Sequence, residues 1–163
     1  MSNTDELLAN NADHVRSSGR GDLSAPPARK VAIVTCMDAR INVYGVLGLS
    51  DGDCHVIRNA GGAATDDASR SLSISQRLLG TEEVMLIHHT SCGMLSFRDD
   101  DFRASIERET GIRPPWAAEA FSDLEQDVRQ SIARVQASPF LPHRDSVRGF
   151  VYEVETGKLR EVA

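Results

Sequence analysis

The segment "CMDAR" at residues 36–40 sets a thiol, a carboxylate and a guanidinium two residues apart, as Cys36, Asp38 and Arg40. Further on, "HHTSC" at residues 88–92 places two imidazoles ahead of a second thiol. Two thiolates, an imidazole and a carboxylate make a good tetrahedral zinc set if the two segments converge. The His89-x-x-Cys92 spacing lets one loop supply two ligands, and Cys36 supplies a third from elsewhere in the chain. On chemistry alone His88 is as good a ligand as His89. Asp38 has two possible uses: it takes the fourth metal position and closes the site, or it binds Arg40 and leaves that position to water. An open position is the mark of catalytic zinc. A carboxylate held by a guanidinium keeps a low pKa and accepts a hydrogen bond from water at the metal. Cys54 has no spaced partner and reads as packing.

These residues need a frame that brings them together. Residues 31–35, 55–58 and 84–88 are short runs rich in Val and Ile, bounded by turn chemistry, as in a parallel sheet covered on both faces. Between the second and third runs, Thr65 as cap, acids in the first turn, Ala68, Leu72, Ser75 and Leu79 on one face, and Gly80 as stop predict a crossover helix. Ser122 and Glu125 form a capping-box pattern ahead of Leu124, Val128, Ile132 and Val135, which predicts another amphipathic helix. The last segment, "GFVYEVETGKLREVA", alternates and turns at "ETGK", as a late strand or hairpin would. Thr4 is expected to cap a first helix bearing Leu7, Leu8 and Val15, followed by a polar linker. The order predicts one α/β domain over residues 1–163, with 1–29 as a separate helix and linker arm. In such sheets ligands sit at the carboxyl ends of the strands, where Cys36 and "HHTSC" both fall.

Composition narrows the classes. A chain of 163 residues buries roughly 70% of its unfolded surface and needs no disulfide staples. A net charge of -6 without a basic stripe argues against nucleic acid or an anionic membrane as partner. No apolar run is long enough to span a bilayer and no signal-peptide layout opens the sequence, so a soluble cytoplasmic protein is expected. Three cysteines, an odd number, point to free or metal-bound thiols.

"CMDAR", "HVIRNAGG" and "HHTSCGM", in this order and spacing, resemble the β-class carbonic anhydrases over about residues 30–97, in particular their short bacterial members. The resemblance implies a mainly parallel central sheet flanked by helices and one zinc ion per subunit on Cys36, His89 and Cys92, which settles the histidine choice. Asp38 and Arg40 match the family's catalytic dyad, with Asp38 as a fourth ligand in a closed state at lower pH. Arg58, Asn59, Ala60 and Gly61 match the segment that buttresses the site, and Gly93 follows the last ligand. A plainer reading of residues 58–61 is a sheet-edge salt bridge and a tight turn.

The implied reaction is reversible hydration of carbon dioxide to bicarbonate and a proton by hydroxide, which zinc makes available by lowering the pKa of its water toward ~7. Related short proteins hydrolyse carbonyl sulfide or carbon disulfide at the same ligand set, so those are alternative substrates. A homodimer or homotetramer, with the N-terminal helix on a partner subunit, is also implied. Tyr44 and His55 are candidates for passing the proton to solvent. Ser91 departs from the Asp that many relatives carry between the ligands.

Overall fold

The computed structural model describes residues 2–17 and 22–162. The three apolar runs become parallel strands β1 (Val31–Cys36), β2 (His55–Asn59) and β3 (Glu83–His89), each extended by one or two residues beyond the expected bounds. A fourth parallel strand, β4 (Val147–Tyr152), and an antiparallel β5 (Leu159–Val162) form the expected hairpin. The sheet order is β2-β1-β3-β4-β5. The chain leaves β1 toward one side for β2 and then crosses to the other side for β3. The split between β1 and β3 is therefore the switch point at which open α/β sheets bind ligands.

Helices complete the frame. They are α1 (Asn3–Ser17), α2 (Val43–Leu47), α3 (Asp66–Leu79), α4 (Asp99–Thr110) and α5 (Leu124–Ala137). The crossover helix α3 has the expected ends: the Thr65 hydroxyl accepts from the Ala68 amide, and Gly80 stops it in the left-handed region. Its Ala68 and Leu72 pack with Ala32, Val34, Val84, Leu86 and Val135, one continuous core on one face of the sheet. Ile33, Ile87 and Tyr152 belong to a second cluster, with Met85 and Phe150 packed against it.

Three expectations about helix ends and linker need correction or limits. Thr4 lies inside α1, whose first turn is capped by the Ser2 hydroxyl accepting from the Asp5 amide. The cap of α5 is Asp123, which accepts from the Gln126 amide, so Ser122 and Glu125 form no capping box. Asp binds an amide in the same way one residue later, and Glu125 pairs instead with Arg129 and Arg160. Residues 18–21 of the expected linker lie outside the described residues. Helices α2 and α4 are not announced by the sequence pattern. α4 buries no residue, so it carries no apolar stripe to read. Among the described residues, no helix is long and apolar enough to cross a membrane.

Candidate metal centre

β1 ends at Cys36 and β3 ends at His89, side by side in the sheet. Strand periodicity then decides between the two histidines. His88 shares a face with Val84 and Leu86 and points at α5, where its Nδ1 lies 3.1 Å from Asp127 Oδ2 without an aligned hydrogen bond. His89 faces the other way. Its Nε2 and the sulfurs of Cys36 and Cys92 all lie within 4.8 Å of one another, and all three residues are buried.

The donor set fits a tetrahedral metal ion. His89 Nδ1 is 2.9 Å from the Thr90 carbonyl oxygen, which can only accept, so Nδ1 carries the proton and Nε2 offers its lone pair. That Nε2 is buried with no hydrogen-bond partner among the described residues, a costly arrangement unless something binds it. Cys36 is held well below the usual thiol range, first by a hydrogen bond from the Cys92 thiol, against the opposing effect of burial, and also by the backbone amides of Asp38 and Gly61. Cys92 is pushed up by that same shared hydrogen bond and by burial. Two sulfurs and an imidazole nitrogen gathered in one buried place make a set that a cation would bind.

Asp38 stands beside this cluster without joining it. Its Oδ2 is 3.7 Å from His89 Nε2, but the carboxylate is claimed by Arg40, whose Nε donates to Oδ1 at 2.9 Å and Nη2 to Oδ2 at 2.7 Å. The Arg40 amide also donates to Oδ1 at 2.9 Å. These bonds, the Arg40 side chain's first, hold the Asp38 carboxyl well below the usual range. The Arg40 Nη2 makes one further bond, 2.9 Å to the carbonyl of Ser91, between His89 and Cys92.

Among the described residues Arg58 makes no salt bridge, contrary to the plainer reading of that segment. Its Nε donates to the Cys36 carbonyl at 3.0 Å, Nη1 to Ile41 at 3.1 Å and Nη2 to Asp38 at 2.7 Å. All three carbonyls belong to the loop that carries Cys36, Asp38 and Arg40, so Arg58 fixes that loop's backbone. Asn59 Nδ2 closes the next turn on the Ala63 carbonyl, and Ala60 and Gly61 begin a short 3-10 turn. Gly93 opens another such turn after Cys92 and faces open space.

Gly62 was not singled out in the sequence. It has φ +72, and a Cβ there would lie 3.0 Å from the Cys36 nitrogen and 3.1 Å from the Ile87 carbonyl oxygen. The glycine doublet after a strand was the available signal. Gly62→Ala is expected to destabilise the protein by about 2 to 3 kcal/mol and to lower its metal content, read from a urea titration and from metal analysis. His55 is corrected as a proton carrier. It pairs with Ala32 at the start of β2, a full strand away from Asn59, and its Nδ1 meets Ser75 Oγ at 2.7 Å. Tyr44 is exposed on α2.

The carbonic anhydrase family profile matches residues 31–116, which include every residue of the cluster. Beta-carbonic anhydrase 1 of Mycobacterium tuberculosis is 56% identical over 99% of both chains. The chain belongs to the β-carbonic anhydrase family. A carbonic anhydrase crystal structure from Streptococcus mutans superposes with TM-score 0.93 at 41% identity, covering 100% of this chain and 99% of the other. A carbon disulfide hydrolase of Acidithiobacillus thiooxidans is 30% identical over 98% of this chain and 90% of its own length. The protein is thus an enzyme of the carbonic anhydrase class, on the mostly parallel α/β sheet that the family resemblance implied.

Proposed function

We propose that the chain hydrates carbon dioxide reversibly to bicarbonate and a proton, using one zinc ion per subunit held by Cys36, His89 and Cys92. The observation that carries this reading is the Asp38 carboxylate held aside by Arg40 next to a buried Cys-His-Cys cluster. Three protein donors leave a tetrahedral ion one position for water, whereas a closed structural site would use Asp38 as the fourth. Bound zinc supplies a Lewis acid that makes water nucleophilic at neutral pH.

The chain's own residues do the rest. His89 presents Nε2 because Thr90 holds the proton on Nδ1. Asp38 stays ionised, and its Oδ2, which takes a single bond from Arg40, can accept a hydrogen bond from the attacking water on its second lone pair, which turns the water's lone pair toward the substrate carbon. Arg40 prevents the same carboxylate from reaching the metal. Arg58 keeps both on a fixed loop.

The test is stopped-flow carbon dioxide hydration by the zinc-loaded protein from pH 6.5 to 9. Fast turnover rising with pH is expected, and no turnover with zinc bound overturns the reading. The relationship to a carbon disulfide hydrolase favours a second reading, in which carbonyl sulfide or carbon disulfide is the substrate. All three are linear molecules with an electrophilic central carbon. Rates on the three, measured on one preparation, separate the readings.

We also place the N-terminal arm on a second copy of this chain. Every residue of α1 is exposed, Leu7, Leu8 and Val15 among them at 64 to 67%. Val31, Met85 and Phe150 on one sheet face are only partly covered by the chain itself. A dimer, or a tetramer built from dimers, buries both surfaces. Leu7→Asp with Leu8→Asp is expected to shift the protein toward monomer in sedimentation at micromolar concentration. Cys36, Cys54 and Cys92 are all free thiols, which suits the reducing cytoplasm.

A further inference from the structure

Ser91 has a backbone φ of +54, a conformation that only two other non-glycine residues share among those described. It stands between His89 and Cys92, where the chain must reverse so that both can face one point. The residue before it is fixed twice to the strand hairpin: the Thr90 amide donates to the Tyr152 carbonyl at 3.0 Å, and the Thr90 hydroxyl accepts from the Val154 amide at 3.0 Å. From that anchored point, the left-handed turn at Ser91 aims its carbonyl at Arg40 Nη2, 2.9 Å away. The Ser91 side chain is exposed, and among the described residues its hydroxyl has no hydrogen-bond partner. What residue 91 contributes is therefore its main chain.

We propose that Ser91 is a positioning residue for the dyad: its left-handed backbone holds Arg40, and through Arg40 it keeps Asp38 off the metal. The proposal rests on the reading that Cys36, His89 and Cys92 hold zinc. Arg40 Nη2 donates both to Asp38 and to Ser91, so the Ser91 carbonyl is the tie between the first metal-binding loop and the second. Without it, among the described residues Arg40 is fastened only to Asp38, and the pair moves as a unit. Asp38 Oδ2 already lies 3.7 Å from the ligand atom of His89, so a small displacement brings it into the coordination sphere.

Residues differ in how well they tolerate positive φ: Gly most, Asn well, Ser and Ala less, β-branched Thr least. A role for the hydroxyl would order them differently, with Thr nearest to Ser and Gly and Ala both poor. The experiment loads parent protein, Ser91→Gly, Ser91→Asn, Ser91→Ala and Ser91→Thr with cobalt(II). Each is titrated with azide at fixed pH and followed by visible absorption. Azide takes an open coordination position, so its apparent affinity reports how far Asp38 is kept away.

The expected result is azide affinity for Ser91→Gly and Ser91→Asn within about twofold of the parent, with Ser91→Thr weaker by about fivefold or more and Ser91→Ala between. In an Arg40→Ala background these differences should vanish. An order that follows hydroxyl content, or equal affinities across the series, overturns the proposal. If Ser91→Thr does not load cobalt, the Gly, Asn and Ala variants still separate the two orders. Failure of the parent itself to load cobalt overturns the metal reading and this inference together. A loaded parent with a flat series overturns this inference alone.

Discussion

His89→Ala is expected to yield folded protein that retains less than ~10% of the parent's zinc and loses at least ~1,000-fold in carbon dioxide hydration. Strand parity turns His89 toward Cys36 and Cys92. His89 is fully buried, its Nδ1 is committed to the Thr90 carbonyl, and its Nε2 has no protein partner. Alanine removes the sole nitrogen donor and leaves two thiols sharing a hydrogen bond, a far poorer receptor for a divalent ion. His88→Ala is the control. That ring is as buried as its neighbour but faces Asp127 on the other side of the sheet, so its loss should cost stability while the protein keeps its zinc. Metal analysis of both variants beside their urea midpoints reads the two effects separately. Equal loss of zinc from both would contradict the assignment of His89.

The contrast between the two histidines shows how far the sequence could be read. Residues 84–87 are Val, Met, Leu and Ile, apolar on both faces, because this central strand is covered on both sides. With no polar face to set the phase, periodicity could not say which histidine points at the site. The resemblance chose His89, and the structure places that residue with Cys36 and Cys92. Cys36, Asp38, Arg40 and Cys92 were legible because chemistry, spacing and position at strand ends pointed the same way. Arg58 was legible as a residue of interest but not in its role. Three bonds to main-chain carbonyls leave no mark in side-chain types, since every residue has a carbonyl. Ser91 was equally opaque, because its contribution is a backbone conformation that Ser can adopt but does not advertise. Helix ends failed for a related reason: Ser, Thr and Asp all accept from an amide, so Ser2 and Asp123 serve where Thr4 and Ser122 were expected.

Asp38→Asn separates binding from chemistry. The variant keeps all three donors of the cluster, and zinc should remain near one per chain. An Asn oxygen still accepts from the Arg40 amide, but the charge that pairs with the guanidinium is gone. A neutral amide is also a weaker acceptor for the attacking water, so turnover is expected to fall by about 100-fold at neutral pH. The pH dependence gives the sharper result. Arg40 holds the Asp38 carboxyl well below its usual range, so Asp38 is ionised from pH 6.5 to 9 in the parent. A rise in turnover across that range cannot come from its proton, and its midpoint should survive in Asp38→Asn within about half a unit. Loss of the inflection would mean that Asp38 itself carries the titration. The stability linkage runs in the direction set by a depressed acid: its contribution is complete above the ordinary carboxyl value of 3.8 and is lost as pH falls through the lower folded value. Urea midpoints of parent and Asp38→Asn should therefore differ at pH 7 and converge at the acid end. A variant that kept its zinc, full turnover and the parent's stability at pH 7 would remove Asp38 from the reaction and leave Arg40 without a reason to hold it.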